Sequence, residues 1–267
     1  MKRISKRDII LEAIIQEYLK CGEPIGSHEL QTKINLEISP STIRIYLKQL
    51  SQEGALVQLH VSSGRVPTNE ALISYWKGKL EPAKAFEISS IQRIQDYVKE
   101  YGLFCTVEKS SRELLKEIVE VNKRFLVLVF NNHEVVLKYS DQVERFLSNL
   151  IGCEMRELKN ISAQVGLYEL FDKLHQIFAH SYLLKTGENE VYAIAEEKKD
   201  NSFIKSLLNS QFSFSLREGV YCDDFVPNGC LAIKHLATVE EDDVALFCFG
   251  KIESDFEGFL NKTRSNK

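Results

Sequence analysis

The chain has 267 residues, room for about two compact domains, and its 44% hydrophobic and 27% charged content is ordinary for a folded, water-facing protein. No apolar run nears the ~20 residues a membrane helix needs; the longest, Phe125–Phe130, has the length of a buried strand. The net charge of −4 argues against a nucleic-acid binder until it is divided: residues 1–80 hold 11 Lys+Arg against 8 Asp+Glu, so a mildly basic front precedes an acidic remainder.

The basic start, Met1-Lys2-Arg3-Ile4-Ser5-Lys6-Arg7, runs into an amphipathic pattern instead of a continuous signal-peptide core, the expectation for a cytoplasmic protein. Lys6–Lys20 is a predicted helix. Ile10, Leu11, Ile14, Ile15, Tyr18 and Leu19 recur on one face, and Ser5 stands as N-cap with Asp8 in the first turn. Cys21-Gly22-Glu23-Pro24 breaks it. Gly26-Ser27 opens a short second helix to about Ile34, with Ser27 as its cap. The third helix starts at Ser39 as N-cap with Pro40 at the first helical position, where its missing N–H costs nothing, and stops at Gly54. Leu56–Val61 alternates like a strand, Ser62-Ser63-Gly64-Arg65 reads as a turn, and Val66-Pro67 as a short return strand. Thr68 caps a fourth helix carrying Leu72, Tyr75, Trp76 and Leu80. Three helices, a hairpin and a helix in this order spell a winged helix-turn-helix over residues 1–80.

Glu81-Pro82-Ala83-Lys84 reads as a boundary. A helical connector is expected over 81–124, with helices at about Ser89–Tyr101 and Ser110–Asn122. From 125 onward strands are expected at Phe125–Asn131, Val135–Tyr139, Val191–Ala195, Leu231–Ala237 and Val244–Phe249. Helices are expected at Asp141–Ile151, Leu167–His180 and Glu253–Lys262. The mixed order predicts an α+β multidomain protein whose 125–267 body lays helices over a mainly antiparallel sheet.

On the third helix, Leu47 and Leu50 fall within about 40° of Ile43, and Tyr46 at their flank. Ser41, Arg44, Ile45, Lys48 and Gln52 fall on the other side. That face offers hydroxyl, guanidinium, ammonium and amide donors with no carboxylate before Glu53, which suits phosphates and base edges. Ser41 and Thr42 sit in the first turn, and Arg44 is the best guanine reader. The hairpin tip adds Ser63, Gly64 and Arg65, a cation on a small turn, with His60 nearby. With the helix starts, the candidate DNA-contact set is Ser27, Ser39, Ser41, Thr42, Arg44, Ile45, Lys48, Gln52, His60, Ser63, Gly64 and Arg65.

Three segments then carry a resemblance: Gly22-Glu23-Pro24-Ile25-Gly26-Ser27, Ile38-Ser39-Pro40-Ser41-Thr42-Ile43-Arg44 and Ser63-Gly64-Arg65-Val66-Pro67-Thr68. In order and spacing they resemble the heat-inducible transcription repressors of the HrcA family. The strand from Phe125 and the helix ending Leu147-Ser148-Asn149-Leu150 look like that family's body. The resemblance implies a homodimer that binds an inverted repeat in double-stranded DNA upstream of chaperone operons. It further implies a GAF-like α/β body with a dimerisation insertion, here reduced and placed around 180–220, and activity governed by the GroEL-type chaperonin. Ile45 stands where the family commonly has Asn, Val61-Ser62 replaces its Thr-Ser, and Phe249-Gly250-Lys251-Ile252 lacks the Gly-Pro-x-Arg-Met of the family's end.

Two rival readings differ in class. A winged-helix regulator could sense a small molecule in its body, though residues 125–250 carry no ligand signature. An enzyme could draw on Cys230 with His235, or assemble Cys222, Cys230, His175, His180 and His235 around a metal. Spacing supports neither, since the six cysteines (Cys21, Cys105, Cys153, Cys222, Cys230, Cys248) form no Cys-x-x-Cys. They read as small core residues carrying thiols, and no cofactor, catalytic residue or metal is expected.

Overall fold

The computed structural model describes residues 5–33, 38–60, 64–81, 85–109, 113–179, 182–199, 201–208, 213, 216–222, 225–240 and 242–264. The N-terminal elements begin where local chemistry starts them. Helix α1 (Lys6–Cys21) is capped by Ser5, whose hydroxyl accepts from the Asp8 N–H at 3.1 Å, and it ends at Gly22 with φ 70°. Helix α2 (Ser27–Lys33) begins one residue earlier than a Ser27 cap would place it. Gly26 offers its carbonyl to Leu30, which leaves the Ser27 hydroxyl for another partner. Helix α3 (Pro40–Gln52) has the expected Ser39 cap, accepting from Thr42 N–H at 3.2 Å. Strands β1 (Leu56–Val57) and β2 (Val66–Pro67) pair antiparallel, and Thr68 caps α4 (Asn69–Lys79). Ile10, Ile14, Ile25, Leu30, Ile38, Ile43, Leu47, Leu50 and Leu56 make one small core.

The expected strand Leu56–Val61 is cut to two residues. Arg65, which would continue the ladder opposite Gln58, pairs with Ile25 instead, and Gln58–His60 run exposed. Val61 and the rest of the expected turn, Ser62 and Ser63, lie outside the described residues, as do Ile34 and the boundary residues Pro82-Ala83-Lys84.

The main sheet follows the order β3 (Phe86–Glu87), β10 (Cys230–Val239), β11 (Asp242–Lys251), β4 (Leu103–Lys109), β8 (Tyr182–Thr186), with β9 (Gly219–Tyr221) also on β10. Its pairings are antiparallel except β3 with β10. Helices α5 (Ile91–Tyr101) and α12 (Phe256–Thr263) cover one face, packed on Leu103, Cys105, Val107, Ile233, Leu246 and Cys248. Helices α9 (Glu188–Lys198) and α10 (Asn201–Leu208) cover Phe104, Ala232, Phe247 and Phe249 on the other. Coverage on both faces explains why β4, β10 and β11 read as continuous buried runs. Cys105, Cys222, Cys230 and Cys248 are buried, and burial pushes the Cys105 thiol well up, but Cys21 at the end of α1 is exposed and Cys153 half-buried, so the core expectation holds for four of the six cysteines.

Between β4 and β8 the chain builds a second core. Strands β5 (Glu117–Val121), β6 (Phe125–Val129) and β7 (Glu134–Lys138) form a meander. Helices α6 (Asp141–Ser148), α7 (Met155–Gln164) and α8 (Tyr168–Ala179) belong to the same unit, where Leu126, Leu128, Leu137, Leu147, Leu158 and Leu174 are buried together. Asn122 and Lys123, both with φ near 50°, turn the first hairpin. Buried Glu113 accepts from Asn132 N and Nδ2 at 3.0 and 2.7 Å and holds the second turn.

Residues 81–124 are not a helical connector: they supply β3, α5, β4 and β5. The helix expected over Ser110–Asn122 gives way, among its described residues, to the strand Glu117–Val121, whose β-branched Ile118, Val119 and Val121 suit extended backbone and which pairs with β6. The strand expected at Val191–Ala195 lies inside α9. Its buried residues Val191, Ile194 and Ala195 are spaced by a helical turn, and Glu188 and Glu190 favour a helix N-terminus. Cys230 and His235 fall on opposite faces of β10, Cys230 under α9 and α10 and His235 against Phe86, so they form no dyad. His175 stacks on Phe171 in the second unit, and His180 lies outside the described residues.

The front and the body share one core. Ile15, Leu72, Trp76 and Leu80 pack with Ile88, Ile252 and Phe256, and the Trp76 indole donates to the Ile252 carbonyl at 2.8 Å. Tyr18 donates to Glu253 at 3.0 Å; burial, then that carboxylate, pushes its phenol up to about 12. Among the described residues no helix is long and apolar enough to cross a membrane. Trp76→Phe leaves the Ile252 carbonyl without its donor and should cost about 1–3 kcal/mol, while Trp76→Ala should cost about 3–5 kcal/mol. Urea unfolding of the full chain measures both; unchanged midpoints would show that the front does not lean on the body.

Candidate nucleic-acid interface

The first turn of α3 gathers hydroxyls. Ser39 Oγ lies 2.8 Å from Ser41 Oγ and 2.9 Å from Thr42 Oγ1, around the backbone N–H groups that a helix start leaves unpaired. Ser39 and Ser41 are exposed and Thr42 is half-buried. Along the helix Ile43, Leu47 and Leu50 are buried, whereas Arg44, Lys48 and Gln52 are exposed and Ile45 is 67% exposed. The outer face is the one its periodicity assigns. An exposed isoleucine among donors can touch only an apolar group, such as a thymine methyl, without losing a hydrogen bond.

Arg44 does not wave freely. Its Nε donates to the Ser27 hydroxyl at 3.2 Å, and its Nη2 lies 3.3 Å from His28 Nε2. That brings α2 and α3 together as one polar surface and adds His28, which the sequence reading overlooked. A histidine one residue into a short helix carries no signal of a partner 16 positions away.

The hairpin joins the same surface. Ile25 and Arg65 exchange two backbone hydrogen bonds of 2.9 Å. Gly64 passes so close that a Cβ there would lie 2.4 Å from the Ile25 carbonyl carbon, so glycine serves close approach here rather than turn flexibility. Arg65 is half-buried, and its Nε donates to Ser51 on α3 at 2.8 Å. It therefore sits beside the third helix and not on a projecting tip. His60 is exposed on the descending side, and Ser63 lies outside the described residues. Ser51, a second overlooked residue, is half-buried next to Gln52.

Among the described residues, two carboxylates of the front, Glu53 and Glu17, are held in ion pairs. Arg7 pairs with Glu53, which also accepts from Gln49 at 2.8 Å, and the guanidinium holds the Glu53 carboxyl below its usual range. Lys33 and Lys20 do the same for Glu17 on α1. A cleft of about 510 Å³ opens between α1, the end of α3 and α4, rimmed by Arg7, Glu53, Glu70 and Lys79; it includes none of the outer-face residues of α3.

Residues 76–267 match the family model described as the HrcA C-terminal domain. The heat-inducible transcription repressor HrcA of Helicobacter pylori strain J99 is 32% identical over 96% of this chain and 94% of the relative. That of Helicobacter pylori strain 26695 is 31% identical over the same shares. The Staphylococcus saprophyticus repressor is 29% identical over 77% of this chain and 66% of the relative. The three front segments meet at one surface, and both the body and the whole length find their relatives in one place: the chain belongs to the HrcA family of heat-inducible transcription repressors.

Proposed function

We propose that this chain represses chaperone operons by gripping an inverted-repeat operator as a homodimer, with α3 of each winged helix-turn-helix in a major groove. The observation that carries the reading is the carboxylate-free outer face of α3, joined by Arg44 to α2 and by Arg65 to the hairpin. Ser41, Thr42, Arg44, Ile45, Lys48 and Gln52 face the groove; Ser27, Ser39, His60, Gly64 and Arg65 lie toward the backbone and wing. The protein works in the cytoplasm, and the GroEL-type chaperonin sets its active fraction. Genome-wide mapping of bound DNA before and after heat shock tests this. Peaks upstream of chaperone operons that vanish on heating are expected; peaks elsewhere, indifferent to heat, would refute it.

On this reading the domains are a winged helix over about 5–80, a GAF-like main sheet with its helices, and a dimerisation insertion. The insertion is better placed at 113–179, which has its own core, than around 180–220. Supporting this, the outer face of β5, β6 and β7 exposes Val119, Val121, Phe125 and Val136 around half-buried Val127. Glu117 and Glu134 flank Val129 at one end, and Lys138 lies opposite Phe125 at the other. A two-fold axis near Val127 sets each acidic end against the partner's basic end.

Arg44→Ala should cost about 1–3 kcal/mol at its base pair and relax discrimination there, whereas Arg65→Ala should weaken all sequences alike and lower the salt slope by about one. Gel-shift titrations across salt separate the two; unchanged operator affinity in Arg44→Ala would remove α3 from the groove. Val136→Glu puts a charge on an exposed position, so the fold should persist while sedimentation velocity shows monomers. A variant that stays dimeric would move the interface elsewhere.

A further inference from the structure

Arginine has only donors, so the 3.3 Å approach of Arg44 Nη2 to His28 requires the imidazole Nε2 to be the acceptor, with the ring proton on Nδ1. The Nε of the same guanidinium donates to Ser27 Oγ at 3.2 Å. Nε and Nη2 share one edge of the planar fork, and both contacts lie at the start of α2. That edge is occupied from within the protein. The Nη1/Nη2 end of the fork points its remaining donors away from it, and an end-on pair of N–H groups is what guanine O6 and N7 accept. An exposed arginine otherwise samples many rotamers, and ordering it on binding costs affinity.

We propose that His28 is a positioning residue for sequence reading: with Ser27 it holds the side edge of Arg44, so that the guanidinium meets the base edge end-on and already ordered. This rests on the reading of the α3 outer face as the DNA-contacting surface. His28 itself acts through Arg44, so its loss should affect the chosen sequence and leave sequence-independent phosphate contacts alone.

The test uses the full chain and two probes: an inverted-repeat duplex selected by the parent protein from random sequence, and a scrambled duplex of the same length. His28→Ala should bind the selected duplex about 2- to 10-fold more weakly, with scrambled-duplex binding unchanged. His28→Gln, whose carbonyl oxygen can stand in for Nε2, should recover the parent value. In an Arg44→Ala background, His28→Ala should add nothing, the signature of two residues acting as one. Equal losses on both duplexes would make His28 a phosphate contact and overturn the proposal, as would independent, multiplying losses in the double variant. If Arg44→Ala loses the selected duplex while His28→Ala does not, the proposal alone fails. If Arg44→Ala binds as the parent does, the α3 reading fails with it.

Discussion

The backbone of Ile25 pairs with that of Arg65, and Gly64 lies against it with no room for a side chain. This joint takes the return strand away from β1 after two residues and fastens it to the segment that leads into α2. The Ile25 side chain is buried in the front core with Ile10, Ile43 and Leu50, so the same residue sets the hairpin and the helix frame. From it follow the seat of Ser27 and His28 beside Arg44 and that of Arg65 beside Ser51. Three segments separated in sequence thereby become one surface, rich in donors.

The rest of the molecule gives that surface a fixed bearing. Helices α1 and α4 are not tethered to the body by a linker alone; they close the same apolar core as the main sheet, with Trp76 at its centre. On the other side of β4, Glu108 meets Lys234 at 2.8 Å and Arg156 of α7 at 3.6 Å, which ties the 113–179 unit to the sheet. Burial pushes the Lys234 ammonium down while Glu108 supports its charge. Such a pair contributes little net stability once desolvation is counted, whereas removing one partner would leave the other charge buried and uncompensated. A dimer built on β5, β6 and β7 would then carry its two heads at a set separation, and half-site spacing is a property of that separation.

The parts legible in the sequence are those whose physics is local. Ser5, Ser39 with Pro40, and Thr68 announce helix starts because capping needs only the next three residues. The outer face of α3 follows from periodicity alone, and Leu231–Ala237 with Val244–Phe249 are long enough to declare strands. The misread parts lack such signals. Val191–Ala195 is a short apolar run that periodicity cannot assign, and β4 hides because both its faces are buried and Glu108 interrupts the run. Arg65 was expected at a tip because nothing near it in sequence mentions Ser51. His28 was overlooked for the same reason: its partner is supplied by the packing of α2 on α3.

Oxidative footprinting of side chains, read by mass spectrometry with and without a selected inverted-repeat duplex, reports whether the α3 surface is the one that meets DNA. Ile45, His28 and His60 stand exposed on the assigned surface, and Tyr168 and Tyr192 stand exposed on the body at 68% and 54%. DNA should shield the first three and leave the two tyrosines as reactive as before. Unchanged oxidation of Ile45 together with protection of the body tyrosines would put the DNA on the body and not on α3.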